Sequence, residues 1–244
     1  MILLSELSIG YNNKLLLSNI NAEFSDCSIT ALIGRNGSGK SSLLRTIAGM
    51  SRPVCGSVRI NDLQPNVPAH LMAHDLAFVS TERLRVPNLP SRDVVALGRS
   101  PYTNWLGRLS SADYEIVDEA LEAVGMSEYA RKSMDKMSDG ECQRIMIARA
   151  LAQATNVLLL DEPTSFLDMP NRYQLVSLLR ELAHKQNKCI VFSTHELDIA
   201  LSLCDNIALI DSPDLYMMPA DEMKTSGLIQ KLFSISSMPA IDVK

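Results

Sequence analysis

Residues 29–42 read Ile29-Thr30-Ala31-Leu32-Ile33-Gly34-Arg35-Asn36-Gly37-Ser38-Gly39-Lys40-Ser41-Ser42. A short apolar run meets a glycine-rich loop, and a segment with helical character follows from Lys40. Gly34 to Ser41 fits the pattern GxxxxGK[ST]. Glycines let the backbone close around phosphates with its N–H groups pointing inward. The helix start behind them adds the positive end of its dipole. Lys40 has the length to meet β- and γ-phosphates, and the Ser41 hydroxyl suits Mg²⁺. A glycine-rich turn by itself is weak; a strand before it and a helix after it are the context the motif demands.

Working outward, the same alternation recurs. Val157–Leu160 is a second apolar run, and Asp161 and Glu162 stand at its C-terminal end. Cys189–Phe192 is a third, followed by Ser193, Thr194 and His195. Ligands of open α/β sheets bind at the C-terminal ends of strands. Asp161 there suits Mg²⁺, directly or through water, Glu162 suits polarising a water, and His195 suits contact with the terminal phosphate. Helical spacing predicts helices through Val117, Ala120, Leu121 and Val124, through Leu175, Leu178, Leu179 and Leu182, and through Leu197, Ala200, Leu201 and Cys204. Ser111 is the expected N-cap of the first and Gly125 its stop; the second starts near Pro170. Ile2, Leu4 and Leu7, then Leu15 to Phe24, predict N-terminal strands with a turn at Asn12-Asn13. Val58–Ile60, Ala77–Val79 and Ile207–Ile210 are further strands. The expected class is α/β: a mostly parallel sheet covered on both faces. A helical stretch over about 87–153 is expected as an insertion, and signals weaken after Asp211.

The chain has 244 residues, 46% of them hydrophobic and 21% charged, with net charge −5. That is ample for a core and argues against long disorder. The acidity argues against a nucleic-acid partner. The N-terminus lacks the basic start and apolar core of a secretion signal. No apolar run approaches the roughly 18 residues of a membrane span, so any membrane role is expected to run through a partner. Five cysteines, odd in number and without a CxxC pair, predict buried, reduced thiols.

Met137-Ser138-Asp139-Gly140-Glu141-Cys142-Gln143-Arg144 resembles the LSGGQ signature of ABC-type ATPases, placed before a helix and a little upstream of Asp161. Asp161-Glu162-Pro163-Thr164-Ser165 with Leu167-Asp168 resembles the Walker B and D-loop segments, and His195 matches the switch histidine. The resemblance covers nearly the whole chain. It implies a P-loop NTPase core with an N-terminal antiparallel β subdomain and an inserted α-helical subdomain, one ATPase domain over 1–244 with a tail over about 212–244. It implies ATP and Mg²⁺ as cofactors. The cofactor-binding residues are then Tyr11, which stacks on adenine, Gly34, Asn36, Gly37, Ser38, Gly39, Lys40, Ser41 and Ser42. Ser138 and Gly140 serve the ATP of an opposing subunit, and Asp168 is a further cofactor-binding residue. Glu162 and His195 carry hydrolysis, and Ser41, Asp161 and Thr81 serve the metal. Read apart from the resemblance, Tyr11 is a strand-end packing residue.

Two places depart from the family pattern. Asp139 and Glu141 stand where glycine and glutamine are usual, and acids at a helix start are expected to cap free N–H groups rather than face a phosphate. The Q-loop glutamine falls at Thr81, with Glu82 beside it; either is open as its substitute. Ala96-Leu97-Gly98-Arg99-Ser100-Pro101-Tyr102, with Gly107-Arg108-Leu109 and Ala150-Leu151-Ala152-Gln153, resembles the ATPases of importers for iron–siderophore complexes, haem and cobalamin. That resemblance implies a head-to-tail homodimer, a transmembrane permease dimer and an extracytoplasmic solute-binding protein. It places the chain at the cytoplasmic face of the membrane, peripherally bound. Two rivals stand beside it: a soluble non-transport ABC ATPase, and a regulatory module that binds ATP but hydrolyses it poorly.

Overall fold

A computed structural model of the chain describes residues 1–11, 14–63, 67, 69–82, 87–103 and 105–233. Of Tyr11 and Ala69 only the backbone is described. The turn expected at Asn12-Asn13 lies outside the described residues.

A six-stranded sheet organises the molecule. With β1 Ile2–Tyr11, β2 Lys14–Phe24, β3 Ser28–Gly34, β4 Cys55–Ile60, β5 Leu76–Val79, β6 Val157–Leu160, β7 Cys189–Ser193, β8 Asn206–Asp211 and β9 Asp214–Pro219, its order is β5-β6-β7-β3-β8-β9. All neighbours are parallel except β8 and β9. Every residue of β3, β6 and β7 is buried, because successive side chains point to opposite faces and both faces are covered. Ile29, Ala31 and Ile33 enter one apolar cluster with Phe192, Leu158 and Leu160. Leu32, Val191 and Leu159 enter the other, with Leu43 and Ile47.

The helices are α1 Lys40–Ile47, α2 Ala69–Met72, α3 Ser91–Ala96, α4 Ser111–Ala123, α5 Asp139–Ala152, α6 Met169–Lys185, α7 Leu197–Leu203, α8 Ala220–Thr225 and α9 Leu228–Phe233. The N-cap of α4 is Ser110, not Ser111: Ser110 Oγ accepts the Asp113 N–H at 3.2 Å, and Asp113 accepts the Ser110 N–H at 2.9 Å. The capping box needs an acid three residues on, and Asp113 satisfies that spacing only from Ser110. Gly125, with φ +69, ends that helix as expected.

A second sheet, order β2-β1-β4, is antiparallel. Ile2 and Leu4 are buried, then Leu7 and Ile9, so the alternation slips by one. The pairings of β1 with both neighbours shift register there, and Glu6 has φ +49. The bulge turns the odd-numbered residues inward. Gly56 lies against it, where a Cβ would stand 2.3 Å from the Glu6 carbonyl oxygen.

The segment Leu97–Tyr102 is a 3-10 turn fastening three elements together. Arg99 Nε pairs with Asp113 at 2.9 Å, its Nη1 donates to the Ala152 carbonyl at 2.9 Å, and its guanidinium lies 4.0 Å over the Tyr102 ring. The Tyr102 hydroxyl donates to the Gln153 carbonyl, and Gln153 Nε2 holds the carbonyls of Ala73 and Leu76 at the entry to β5. A Cβ on Gly98 would stand 2.2 Å from the Arg149 carbonyl oxygen.

The region after Asp211 holds β9, α8 and α9, none of them expected from sequence. β9 is an edge strand without a fully buried face, so it lacks clean alternation. The cysteine expectation also needs correction: Cys142, Cys189 and Cys204 are buried, but Cys27 and Cys55 are exposed, and all five are free. Cys27 sits at φ +55 in the turn before β3 and Cys55 opens an outer strand, so neither is packed under a second layer.

Candidate functional site

Parallel register brings three strand ends to one edge. β6 and β3 both flank β7, so the loop after β3, the acids after β6 and the His195 turn after β7 adjoin. Lys14, Leu16, Asn36, Gly37, Gly39, Lys40, Ser41, Ser42, Glu162 and His195 line one cleft of about 510 Å³.

The loop is shaped for a ligand. A Cβ on Gly34 would stand 2.8 Å from Ser38 Oγ and 2.9 Å from the Ile210 carbonyl oxygen. Gly37 and Gly39 have φ of +75 and +107, values that disfavour any residue with a Cβ. Lys40 is buried, and its Nζ donates to the Gly34 and Arg35 carbonyls at 2.9 and 3.1 Å. Burial pulls its pKa below the usual lysine value, against the opposing charges of Glu162 and Asp161. Ser38 Oγ is buried with no hydrogen-bond partner. An orphaned hydroxyl inside a glycine loop beside a buried ammonium is chemistry that a phosphate oxygen completes. Arg35 extends away and donates to the Leu232 carbonyl of α9.

Asp161 is buried and surrounded by hydroxyls. Its Oδ1 accepts Ser41 Oγ at 3.0 Å and Ser193 Oγ at 2.7 Å, and its Oδ2 faces Thr81 Oγ1 at 3.5 Å. Hard oxygen donors of this kind fit Mg²⁺. Glu82, by contrast, is exposed and directed to Arg45 at 3.5 Å, so of the two Q-loop candidates Thr81 is the one beside Asp161. Glu162 has φ +50, a costly value for a residue with a side chain. Its N–H donates to Ser193 Oγ at 2.9 Å, and its Oε1 lies 2.6 Å from His195 Nε2. Ser193 therefore links both acids. Ser193 is a site residue not expected from the sequence; its place between a buried run and His195 is the signal that points to it.

Ser138 and Gly140 lie elsewhere. They line a second cleft of about 510 Å³ with Glu141, Arg144, Leu167 and Asp168, among others, and share no lining residue with the first. Ser138 is the N-cap of α5: its Oγ accepts the Glu141 N–H at 3.2 Å, and Glu141 accepts the Ser138 N–H at 2.7 Å. Glu141 also pairs with Lys132 at 2.9 Å. Partial burial alone would raise the Glu141 pKa, but Lys132 and the Ser138 N–H overcome it and hold the carboxyl below its ordinary value. The acid at the unusual signature position is thus used as a cap. Asp168 is likewise the N-cap of α6, accepting the Asn171 N–H at 3.1 Å. Tyr11 ends β1, and its side chain is outside the described part.

Residues 17–165 match the ABC transporter family model. The chain belongs to this family. It is an ABC ATPase, and the family to which it belongs binds ATP. An uncharacterized ABC transporter ATP-binding protein of Methanocaldococcus jannaschii is 41% identical, with 97% of this chain and 82% of that one covered. The iron(3+)-hydroxamate import ATP-binding protein of Bacillus subtilis is 33% identical over 94% of this chain and 87% of its own. Among solved structures, an ABC transporter assigned to the metal-chelate type, in an inward-facing conformation, superposes with TM-score 0.84 at 29% identity, covering 96% of this chain and 88% of that one. No helix among the described residues of this ABC ATPase is long and apolar enough to cross a membrane.

Proposed function

We propose that this chain is the ATP-hydrolysing subunit of an importer for an iron–siderophore complex, haem or cobalamin, acting as a head-to-tail homodimer on a transmembrane permease dimer at the cytoplasmic face of the membrane. The whole chain, 1–244, is read as one ATPase domain, with 87–153 its helical part and 212–244 its tail. An extracytoplasmic solute-binding protein supplies the cargo through the permease. The observation that carries the reading is the separation of two clefts: the phosphate loop, Glu162 and His195 share one, with buried Asp161 hydrogen-bonded to Ser41 of its lining, and Ser138, Gly140 and Asp168 share the other. Each is half of an ATP site, and two chains facing each other supply both halves. The hydroxamate-import relative and the metal-chelate neighbour favour the cargo class. The segment 97–106 exposes Leu97, Tyr102, Trp105 (91% exposed) and Leu106, apolar surface suited to a permease helix.

In this mechanism the backbone of Gly34, Asn36, Gly37, Ser38 and Gly39 holds the phosphates, Ser42 adds its N–H at the helix start, and Lys40 turns from the loop carbonyls to the γ-phosphate. Ser41 and Asp161, with Thr81 nearby, would hold Mg²⁺, which would supply charge that neutralises the phosphates. Glu162 orients and polarises the attacking water, and His195 fixes the Glu162 carboxylate and meets the γ-phosphate. Tyr11 stacks on adenine. Ser138 and the N-terminus of α5 donate to the γ-phosphate of the partner's ATP.

Glu162→Gln, assayed with the permease present, is expected to lower turnover by about 10²- to 10⁴-fold and to trap an ATP-bound dimer visible by size-exclusion chromatography. Equal and negligible turnover of wild type and variant would instead favour the regulatory module. Uptake of labelled iron chelate, haem and cobalamin in a deletion strain tests the cargo; unchanged uptake of all three overturns it.

A further inference from the structure

One side chain ties the Leu167 turn of the second cleft to the turn that carries His195 of the first. Arg172 lies in the first turn of α6. Its Nε donates to the Leu167 carbonyl at 2.6 Å, and its Nη1 lies 2.8 Å from Glu196 Oε1. Leu167 is the buried floor of the second cleft: a Cβ on Gly140 would stand 3.1 Å from Leu167 Cδ2. Glu196 follows His195 directly, and its N–H donates to Thr194 Oγ1 at 3.1 Å, closing the turn that holds His195 against Glu162. One planar fork thus holds a main-chain oxygen beneath the Ser138–Gly140 cleft and a carboxylate beside the Glu162–His195 pair.

We propose that Arg172 is a positioning residue for ATP hydrolysis, setting the His195 turn from the state of the Leu167 turn through Glu196. The proposal rests on the functional reading above. A change at the second cleft that moves Leu167 moves one arm of the fork, and the rigid guanidinium passes that displacement to Glu196 and the His195 backbone. Lysine cannot substitute fully, because an ammonium lacks the fixed pair of donors. Neither arm touches the phosphate loop, so ATP affinity is expected to be independent of Arg172.

The test compares the full-length wild type with Arg172→Ala, Arg172→Lys, Glu196→Gln and the double variant Arg172→Ala/Glu196→Gln. Steady-state ATPase kcat, equilibrium ATP affinity and thermal midpoint are measured for each. Misplacement of a reacting group by a fraction of an ångström to an ångström costs about ten- to a hundredfold in rate. Arg172→Ala is expected to lose about tenfold in kcat with Kd within about twofold of wild type, and Arg172→Lys to recover part of that loss. The double variant is expected to be no worse than Arg172→Ala, since both substitutions break one link. A kcat for Arg172→Ala within about twofold of wild type, or a double variant whose loss is the product of the singles, overturns the proposal. If a variant misfolds, as its thermal midpoint reports, the remaining variants still decide the question. A wild type that binds ATP but does not hydrolyse it overturns the functional reading as well, an outcome distinct from an active wild type beside an equally active Arg172→Ala.

Discussion

The two clefts are built in different ways. The phosphate cleft draws its groups from the ends of three strands, and its acids are held by side chains distant in sequence: Ser41 and Ser193 reach Asp161 across 120 and 32 residues. The second cleft is made mainly at helix starts. Ser138 with Glu141, and Asp168 with Asn171, are bonds between residues three apart. One cleft depends on sheet register, the other on capping. Substitutions in the first are therefore expected to act on ligand binding and loop geometry, and those in the second chiefly on local helix stability.

Lys40→Ala is the sharpest break. It is expected to weaken ATP binding by about 2–5 kcal/mol, the scale of losing one partner of a buried charge pair, with the thermal midpoint near wild type. Titration of a fluorescent ATP analogue checks it, and undiminished affinity would remove Lys40 from the site. The glycines come next. Gly34→Ala forces a Cβ against the Ile210 carbonyl oxygen at 2.9 Å, and such overpacking costs about 1–3 kcal/mol. Gly140→Ala meets at its closest contact a side-chain methyl of Leu167, at 3.1 Å, rather than backbone, and gains helix propensity. Chemical denaturation should therefore show Gly34→Ala destabilised and Gly140→Ala unchanged or slightly stabilised. Reversed order would contradict the contrast.

The smallest effects lie in the cap. Ser138→Ala is expected to cost about 1 kcal/mol, and Glu141→Gln less than that, since glutamine still fits the capping box and the Lys132 pair is partly exposed. The Glu141 carboxyl has a lowered pKa in the folded chain. Its contribution is present above the ordinary carboxylate range and is lost as pH falls through the folded value. Thermal midpoints of wild type and Glu141→Gln should therefore converge on acidification; a gap that widens would put Glu141 outside the cap.

Much of this was legible because it is local. Gly34–Ser41, Asp161, Glu162 and His195 each followed an apolar run, and strand ends are where α/β ligands sit. The Glu141 cap was legible for the same reason. The Ser110 cap is just as local as the Glu141 cap, and Asp113 three residues on was the signal that separates Ser110 from Ser111. Other features were hidden. The strand at Ile2, Leu4 and Leu7 was expected but the bulge at Glu6 within it was not, and Gly56, which lies against that bulge, comes from a separate strand. β9 lacked a fully buried face, so no period marked it.

By itself, the sequence determined the chemistry available: a glycine loop with Lys40 and Ser41, acids at a buried strand end, a histidine at the next, and a signature at a helix start. Short-range spacing specifies such features because loops, caps and strand ends are local structures. Tertiary structure alone decided what meets what. It placed Ser193 between Asp161 and Glu162, Thr81 rather than Glu82 beside Asp161, and Arg172 between Leu167 and Glu196. These contacts arise from sheet order and helix packing, which join residues that no spacing along the chain relates.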